Sequence, residues 1–241
     1  MTQDNFGQES LYIVMPAYNE EANIESVIAM WHPVAEKAGK GSRLLVVNDG
    51  SRDSTWEKIC ACQKDYPLLL AVDKKNEGHG PTVLAAYKKA IEDGADYIFQ
   101  TDSDGQTLPD EFWPFWEMRE SAGLIIGYRK GREDGLSRVL VTRTLRLVLF
   151  LTFHIWVKDA NTPFRLMKSS ELKEVLKKIP EGYNLPNVLM SVIYEKEKKN
   201  VRYIPITFRP RQGGKNSLNM KRIIGIGRQA VHDFRILRKS V

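Results

Sequence analysis

Between residues 11 and 126, short β-rich apolar runs alternate with amphipathic stretches, and this alternation leaves few folds open. The runs lie at residues 11–15, 43–48, 68–72, 97–100 and 124–126. The stretches between them predict helices over 21–37, 54–66, 81–93 and 109–121. A helix that carries the chain back to the same end of the sheet makes successive strands parallel. A parallel sheet covered on both faces has strands apolar throughout rather than alternating. The expected class is therefore α/β: a Rossmann-like, mostly parallel sheet flanked by helices. No internal repeat or low-complexity linker interrupts the chain, so one continuous domain is expected. Its 241 residues suffice for one well-buried core. A hydrophobic share of 42% against 27% charged residues excludes a disordered chain.

Ligands of such sheets bind beyond the carboxyl ends of the strands. Three of those ends are polar: Pro16-Ala17-Tyr18-Asn19-Glu20-Glu21, Asn48-Asp49-Gly50-Ser51-Arg52-Asp53-Ser54 and Thr101-Asp102-Ser103-Asp104-Gly105-Gln106. Turn and cap chemistry accounts for any one of them. Three on one edge point to a site. Residues i and i+2 of an extended chain share a side, roughly 6–7 Å apart. Asp102 and Asp104 so placed repel one another unless a cation lies between them. Hard oxygen ligands suit Mg²⁺ or Mn²⁺, whose shells are completed by phosphate oxygens and water. Gln106 adds a neutral oxygen on the same side. A metal there would neutralise the charge of a departing diphosphate. Asp49 offers an acceptor for the ring N–H of uracil or guanine. Its local alternative is a place in the cap region of the following helix, with Ser51 or Asp53 as the cap.

Other features narrow the classes further. Cys60 and Cys62, one residue apart in a predicted helix, suit neither a disulfide nor a zinc site. The N-terminus has neither the basic nor the apolar part of a signal peptide, and the longest apolar run, 147–157, is shorter than the roughly 20 residues of a membrane span. A cytoplasmic protein is expected. The formal charge of +6 is uneven: residues 209–241 carry +8, leaving about −2 elsewhere. A localised positive surface implies an anionic partner, whether a membrane face, a phosphorylated substrate or nucleic acid.

The strand-end motifs, with Asn76-Glu77-Gly78-His79-Gly80, resemble glycosyltransferase family 2, the inverting group with the GT-A fold. The match in order and spacing covers roughly residues 10–130. Within the family the chain is similar to dolichol-phosphate-mannose-synthase-like and bacterial polyprenyl-phosphate glycosyltransferases. That similarity rests on Asp104-Gly105-Gln106, Gly127-Tyr128-Arg129, Asp159-Ala160-Asn161-Thr162-Pro163-Phe164-Arg165 and Phe208-Arg209-Pro210-Arg211-Gln212-Gly213-Gly214-Lys215. The resemblance implies that Pro16, Ala17, Tyr18 and Glu20 line a nucleoside pocket in which Asp49 reads the base. Asp102 would touch the ribose or share the metal, and Asp104 and Gln106 would bind it. Arg129, Arg143, Arg211 and Lys215 would receive a phosphate-bearing acceptor. Residues 1–208 would form the catalytic domain, with a nucleotide-sugar half near 10–130 and an acceptor half near 131–208. Residues 209–241 would add a basic loop and an amphipathic C-terminal helix. The chain departs from the family pattern at His79, at Pro81 and around Lys215.

The implied reaction moves a sugar from a UDP- or GDP-sugar, with Mg²⁺ or Mn²⁺, to one of two acceptors. A sugar hydroxyl of a glycan needs a general base, for which Asp159 is the candidate; its structural alternative is a cap or a partner of Arg165. A lipid phosphate, with a second pKa of about 6, is mostly ionised and needs positioning instead. Arginines at 129, 132, 138, 143 and 146 favour the lipid phosphate. Residues 136–157 and 218–238 have the basic amphipathic character of segments lying on an anionic membrane, although their apolar stripes would also suit packing on the domain. A nucleotidyltransferase would want a Gly-rich loop after the first strand, which this chain lacks. No nucleic-acid recognition motif or aromatic stacking platform accompanies the basic tail, so no nucleic-acid partner is expected.

Overall fold

The structure, a computed structural model, describes residues 9–129, 136–210, 229, 233 and 234. It describes the backbone alone for 136–143. In chain order the elements are β1 (Leu11–Ala17), α1 (Ile24–Ala38), β2 (Arg43–Asn48), α2 (Thr55–Cys62), β3 (Leu69–Asp73), α3 (His79–Glu92), β4 (Tyr97–Gln100), α4 (Trp113–Glu117), β5 (Leu124–Arg129), α5 (Leu136–Phe153), β6 (Arg165–Lys168), α6 (Ser169–Leu176), α7 (Pro186–Lys196) and β7 (Val201–Ile206). Seven strands form one sheet in the order β3-β2-β1-β4-β6-β5-β7. All are parallel except β6, which runs antiparallel to both β4 and β5. This is the expected α/β class, and strands from both halves of the chain share the sheet. The residues expected to form a C-terminal amphipathic helix lie almost entirely outside those described.

The central strand shows why the run is apolar throughout. Leu11, Ile13 and Met15 enter a core with α1, and Tyr12 and Val14 enter a second core with α3 and α7. Alternate side chains face opposite sides, so a strand buried on both needs no polar positions. Phe99 anchors the first core, with ring centroids 5.5 Å from Trp31, 4.9 Å from Phe112 and 4.7 Å from Phe164. Burying such rings contributes about 1.5–3 kcal/mol each.

One expected element differs. In place of a helix over 109–121 there are two short 3₁₀ turns, Pro109–Phe112 and Arg119–Ser121, flanking the five-residue α4. Proline lacks an N–H and fits only a first turn, so Pro114, inside the expected helix, divides the segment. None of the described helices is long and apolar enough to cross a membrane.

α3 docks by close backbone approach. A Cβ on Gly80 would lie 2.4 Å from the Tyr183 carbonyl oxygen and 2.5 Å from that of Asn184. Both neighbours are backbone, so neither can swing aside. Gly80→Ala is expected to cost about 1–3 kcal/mol through overpacking, lowering Tm by about 3–10 °C. Thermal denaturation followed by circular dichroism reads the change, and an unchanged Tm would mean that the 183–184 loop moves aside freely.

Candidate active site

The polar loops all leave the carboxyl edge of the sheet, and β1 ties them together. Its neighbour β4 ends at Gln100, opposite Val14. The chain then turns away, with Thr101 N–H donating to the Val14 carbonyl at 3.1 Å. Pro16 therefore sits in a central strand without harm, because the side on which it lacks an N–H lies beyond the end of β4. Its carbonyl, on that same side, accepts the Ser103 hydroxyl at 2.8 Å. On the other side, the Ala17 carbonyl accepts the Asp49 N–H at 2.8 Å.

Tyr18 is partly exposed past the strand, while Pro16, Ala17 and Glu20 are buried. Asn19 takes a left-handed conformation with φ 53°, which asparagine tolerates better than most residues. There its side chain accepts the Arg52 N–H at 2.9 Å, and its own N–H donates to the Ser51 hydroxyl at 3.0 Å. Glu20 Oε2 accepts from Asn23 Nδ2 at 2.8 Å, and the Glu20 N–H donates to Thr55 Oγ1 at 2.8 Å. The first two loops are thereby braced against each other.

Asp49 is 3% exposed. Its Oδ1 accepts from Lys74 Nζ at 2.9 Å and from the Glu77 N–H at 3.0 Å, and its Oδ2 accepts from the Gly78 N–H at 2.9 Å. Burial pushes its pKa up, but the Glu77 amide, Lys74 and a contribution from Thr82 outweigh it, leaving a net lowering. Asp49 thus fastens the 74–78 turn to the second strand end. Lys74 and the two amides were not singled out in the sequence, since nothing in the residues around Lys74 marks it as the partner of a residue 25 positions earlier. His79 opens α3, exposed to solvent.

In the third loop burial alternates strictly. Thr101, Ser103, Gly105 and Thr107 are buried, and Asp102, Asp104 and Gln106 are half-buried. The three polar groups therefore share the open side, although Ser103 and Asp104 form a turn rather than an extended strand. Asp104 Oδ1 closes that turn by accepting the Gln106 N–H at 3.1 Å. Gln106 also grips the late loop at two points. Its Nε2 donates to the Arg209 carbonyl at 2.8 Å, and its own carbonyl accepts the Arg209 N–H at 2.8 Å. Glu111 adds a third tether by accepting the Thr207 N–H at 2.9 Å. These contacts join residues about a hundred positions apart. Among the described residues no group of three or more His, Cys, Asp or Glu could hold a metal unaided. Two carboxylates and an amide oxygen instead fit a hard divalent ion that takes its remaining ligands from phosphate and water.

Arg129 and Asp159, assigned different roles in the sequence, form one pair, with Nε 3.6 Å from Oδ2. The guanidinium carbon lies 4.4 Å from the Phe208 ring centroid. Arg165 is not the ion-pair partner of Asp159. It is fully buried and donates to the carbonyls of Ala160, Thr162 and Asn187, shaping the 160–165 turn. Arg143 lies on α5 with its side chain undescribed, and Arg211 and Lys215 lie outside the described residues. Cys60 and Cys62 are free, with thiol pKa values raised chiefly by burial, as inert residues should be.

Residues 12–175 match the family model of glycosyl transferase family 2. The chain is 24% identical over 217 residues to the UDP-N-acetylglucosamine–dolichyl-phosphate N-acetylglucosaminyltransferase of Methanococcus voltae, covering 81% of this chain and 84% of that protein. It is 25% identical over 234 residues to the dolichol-phosphate mannosyltransferase of Pyrococcus furiosus, covering 94% and 63%. It is 25% identical over 144 residues to the undecaprenyl-phosphate 4-deoxy-4-formamido-L-arabinose transferase of Pectobacterium atrosepticum, covering 58% of this chain and 43% of that one. Among solved structures, the glucosyl-3-phosphoglycerate synthase of Mycobacterium tuberculosis with Mn²⁺, UDP-glucose and phosphoglyceric acid superposes with a TM-score of 0.71. It is 19% identical, with 97% of this chain and 80% of that one covered. At that identity the likeness concerns the fold.

Asp49→Asn would leave an amide N–H or Lys74 without its acceptor, at an expected cost of about 1–3 kcal/mol. The folded pKa of Asp49 lies below its ordinary value of 3.8. Its contribution to stability is therefore complete above that value and fades as pH falls through the folded pKa. Denaturant titrations should show the wild-type advantage over Asp49→Asn at pH 7 and its shrinkage below about pH 4. A pH-independent difference would refute the charged bracing.

Proposed function

The chain belongs to glycosyl transferase family 2, and we propose that it moves a sugar from a UDP- or GDP-sugar to a polyprenyl-phosphate-type lipid, inverting the anomeric carbon. The observation that carries this reading is the two-point grip of Gln106 on Arg209. It places the acidic loop against the strand end that leads into the basic loop, so a donor diphosphate and an anionic acceptor would meet at one edge. The names of the curated relatives, two of which transfer to dolichyl or dolichol phosphate and one to undecaprenyl phosphate, support the same acceptor class.

In this reading Pro16, Ala17, Tyr18 and Glu20 frame the nucleoside. Asp49 orders the 74–78 wall of the pocket and offers an acceptor to the base. Asp102, Asp104 and the Gln106 side-chain oxygen would hold Mg²⁺ or Mn²⁺. That ion would supply charge neutralisation for the diphosphate. The acceptor phosphate oxygen attacks the anomeric carbon in line as the bond to the diphosphate oxygen breaks, and the nucleoside diphosphate leaves with the electron pair. Arg129, with Arg143, Arg211 and Lys215, orients the acceptor phosphate, an oxyanion that needs no base near pH 7. Asp159 fixes the Arg129 fork. A carboxylate that holds the guanidinium serves as its positioning group, and this favours the phosphate acceptor over a glycan hydroxyl.

Purified protein is incubated with labelled UDP- and GDP-sugars, Mg²⁺ or Mn²⁺, and polyprenyl phosphate in detergent. Label is expected in the organic extract; label confined to water-soluble glycan would sink the proposal. Asp104→Ala should lower transfer by about 10²–10³-fold, as loss of a charge-stabilising group does. EDTA should abolish transfer and added Mn²⁺ or Mg²⁺ restore it. For Asp159→Asn, a rise mainly in acceptor KM is expected. A kcat loss of about 10²–10⁴-fold with KM unchanged would instead mark Asp159 as a general base.

A further inference from the structure

Phe208 stands where the two halves of the site meet, and the register of β5 and β7 brings it there. Arg129 pairs with Ile206, and Phe208, two residues further along the chain, returns to the same side. The ring is half-buried and packs on the core that holds Ile206 and Phe164. Its backbone is pinned at both neighbours. The Thr207 N–H donates to Glu111 Oε1 at 2.9 Å and to Oε2 at 3.0 Å. Arg209 donates to the Gln106 carbonyl and accepts from Gln106 Nε2, each at 2.8 Å. The ring is therefore a fixed surface.

That surface lies against Arg129, whose guanidinium carbon is 4.4 Å from the Phe208 centroid, within cation–π range. Asp159 meets the same guanidinium from another direction, with Oδ2 3.6 Å from Nε. The two contacts constrain different motions. A carboxylate beside Nε holds one edge and leaves rotation about that edge open. A ring against the face fixes the plane. A phosphate accepts two parallel N–H bonds only from a fork that lies in the right plane. Lys158, the neighbouring cation, belongs elsewhere: its ammonium lies 5.1 Å from the Tyr128 ring and 5.7 Å from the Tyr203 ring. Successive strand residues face opposite sides, so Tyr128 points away from Arg129.

We propose that Phe208 is a positioning residue whose ring sets the plane of the Arg129 guanidinium for the acceptor phosphate. The inference rests on the acceptor reading above and deepens it, since Phe208 acts only through Arg129. Without its platform the guanidinium presents the fork for part of the time. Acceptor affinity then falls by that fraction, while the bound complex reacts as before.

The test compares Phe208→Leu, which keeps apolar bulk on the core but removes the ring face, with Phe208→Tyr, which keeps the face. Transfer to polyprenyl phosphate in detergent is followed with donor and Mn²⁺ in excess. Phe208→Leu is expected to raise acceptor KM by about 3–30-fold with donor KM and kcat unchanged. Phe208→Tyr should retain the wild-type KM. A merely structural role would lower kcat through the fraction of active enzyme and move neither KM. That result, a Leu variant equal to the wild type, or a Tyr variant as impaired as Leu would overturn the proposal. The contact itself is read without substrate by combining Phe208→Leu with Arg129→Gln in denaturant titrations. The double variant should lose less stability than the two single losses added, and strict additivity would also overturn the proposal. If the wild type transfers nothing to polyprenyl phosphate while the cycle stays non-additive, the acceptor reading fails. The role of Phe208 then fails with it, and the contact stands.

Discussion

The last turn of β1 carries three carbonyl oxygens, and each fixes a different part of the site. Val14 receives the Thr101 amide, Pro16 the Ser103 hydroxyl and Ala17 the Asp49 amide. Because the pairing with β2 and β4 is parallel, the loops that follow emerge at one level on one edge. A backbone carbonyl within a buried sheet is among the least mobile groups a protein has, and leaving it unpaired is costly. The acidic loop and the Asp49 loop are therefore held in register with each other through β1. A slip of one residue in either pairing would turn that strand's side chains to the opposite face.

Beneath that edge, a buried polar network connects the acidic loop to the segment behind it. The Tyr87 hydroxyl donates to Gln100, just ahead of Thr101, and lies 3.2 Å from Asn187 Oδ1. The Asn187 carbonyl accepts from Arg165, whose other donors serve Ala160 and Thr162. Burial raises the Tyr87 pKa well beyond the physiological range, so it remains a neutral donor. Most polar groups this deep find partners within the network, while Gln100 Nε2 has none among the described residues. The network links the strand that leads into the acidic loop to the turn that precedes Arg165 and carries Asp159. Above it, Gln106 and Glu111 bind the two halves a second time through residues 207–209.

The elements most legible in the sequence were those with a local cause. The strand runs at 11–15, 43–48 and 97–100 lie within or coincide with β1, β2 and β4, because apolar β-rich segments between polar turns have few other solutions. The segment 109–121 has amphipathic spacing but no continuous helix, because Pro114 interrupts it. Among the candidate site residues, Asp102, Asp104 and Gln106 share partial exposure, and a turn at Ser103 and Asp104 presents them rather than an extended strand. The pairings of Asp49 with Lys74, of Arg129 with Asp159 and of Gln106 with Arg209 were not foreseen. Their separations in sequence carry no periodic or spacing signal.

The sequence by itself determined the layer architecture and which strand ends carry the polar groups. Both follow from interactions between neighbours in the chain: alternation of faces and turn propensity. Only the tertiary structure decided what those groups touch. The cross-chain hydrogen bonds that turn Asp49 into a brace, Gln106 into a clamp and Asp159 into the partner of Arg129 form once the sheet has closed. Their geometry is set by strand register and by how closely backbones approach, as at Gly80 against Tyr183 and Asn184. The exposed face of α5 was decided in the same way. Its residues read equally well as core or as surface until packing buried Leu149 and Phe153 and left Phe150, Leu151 and Trp156 in solvent.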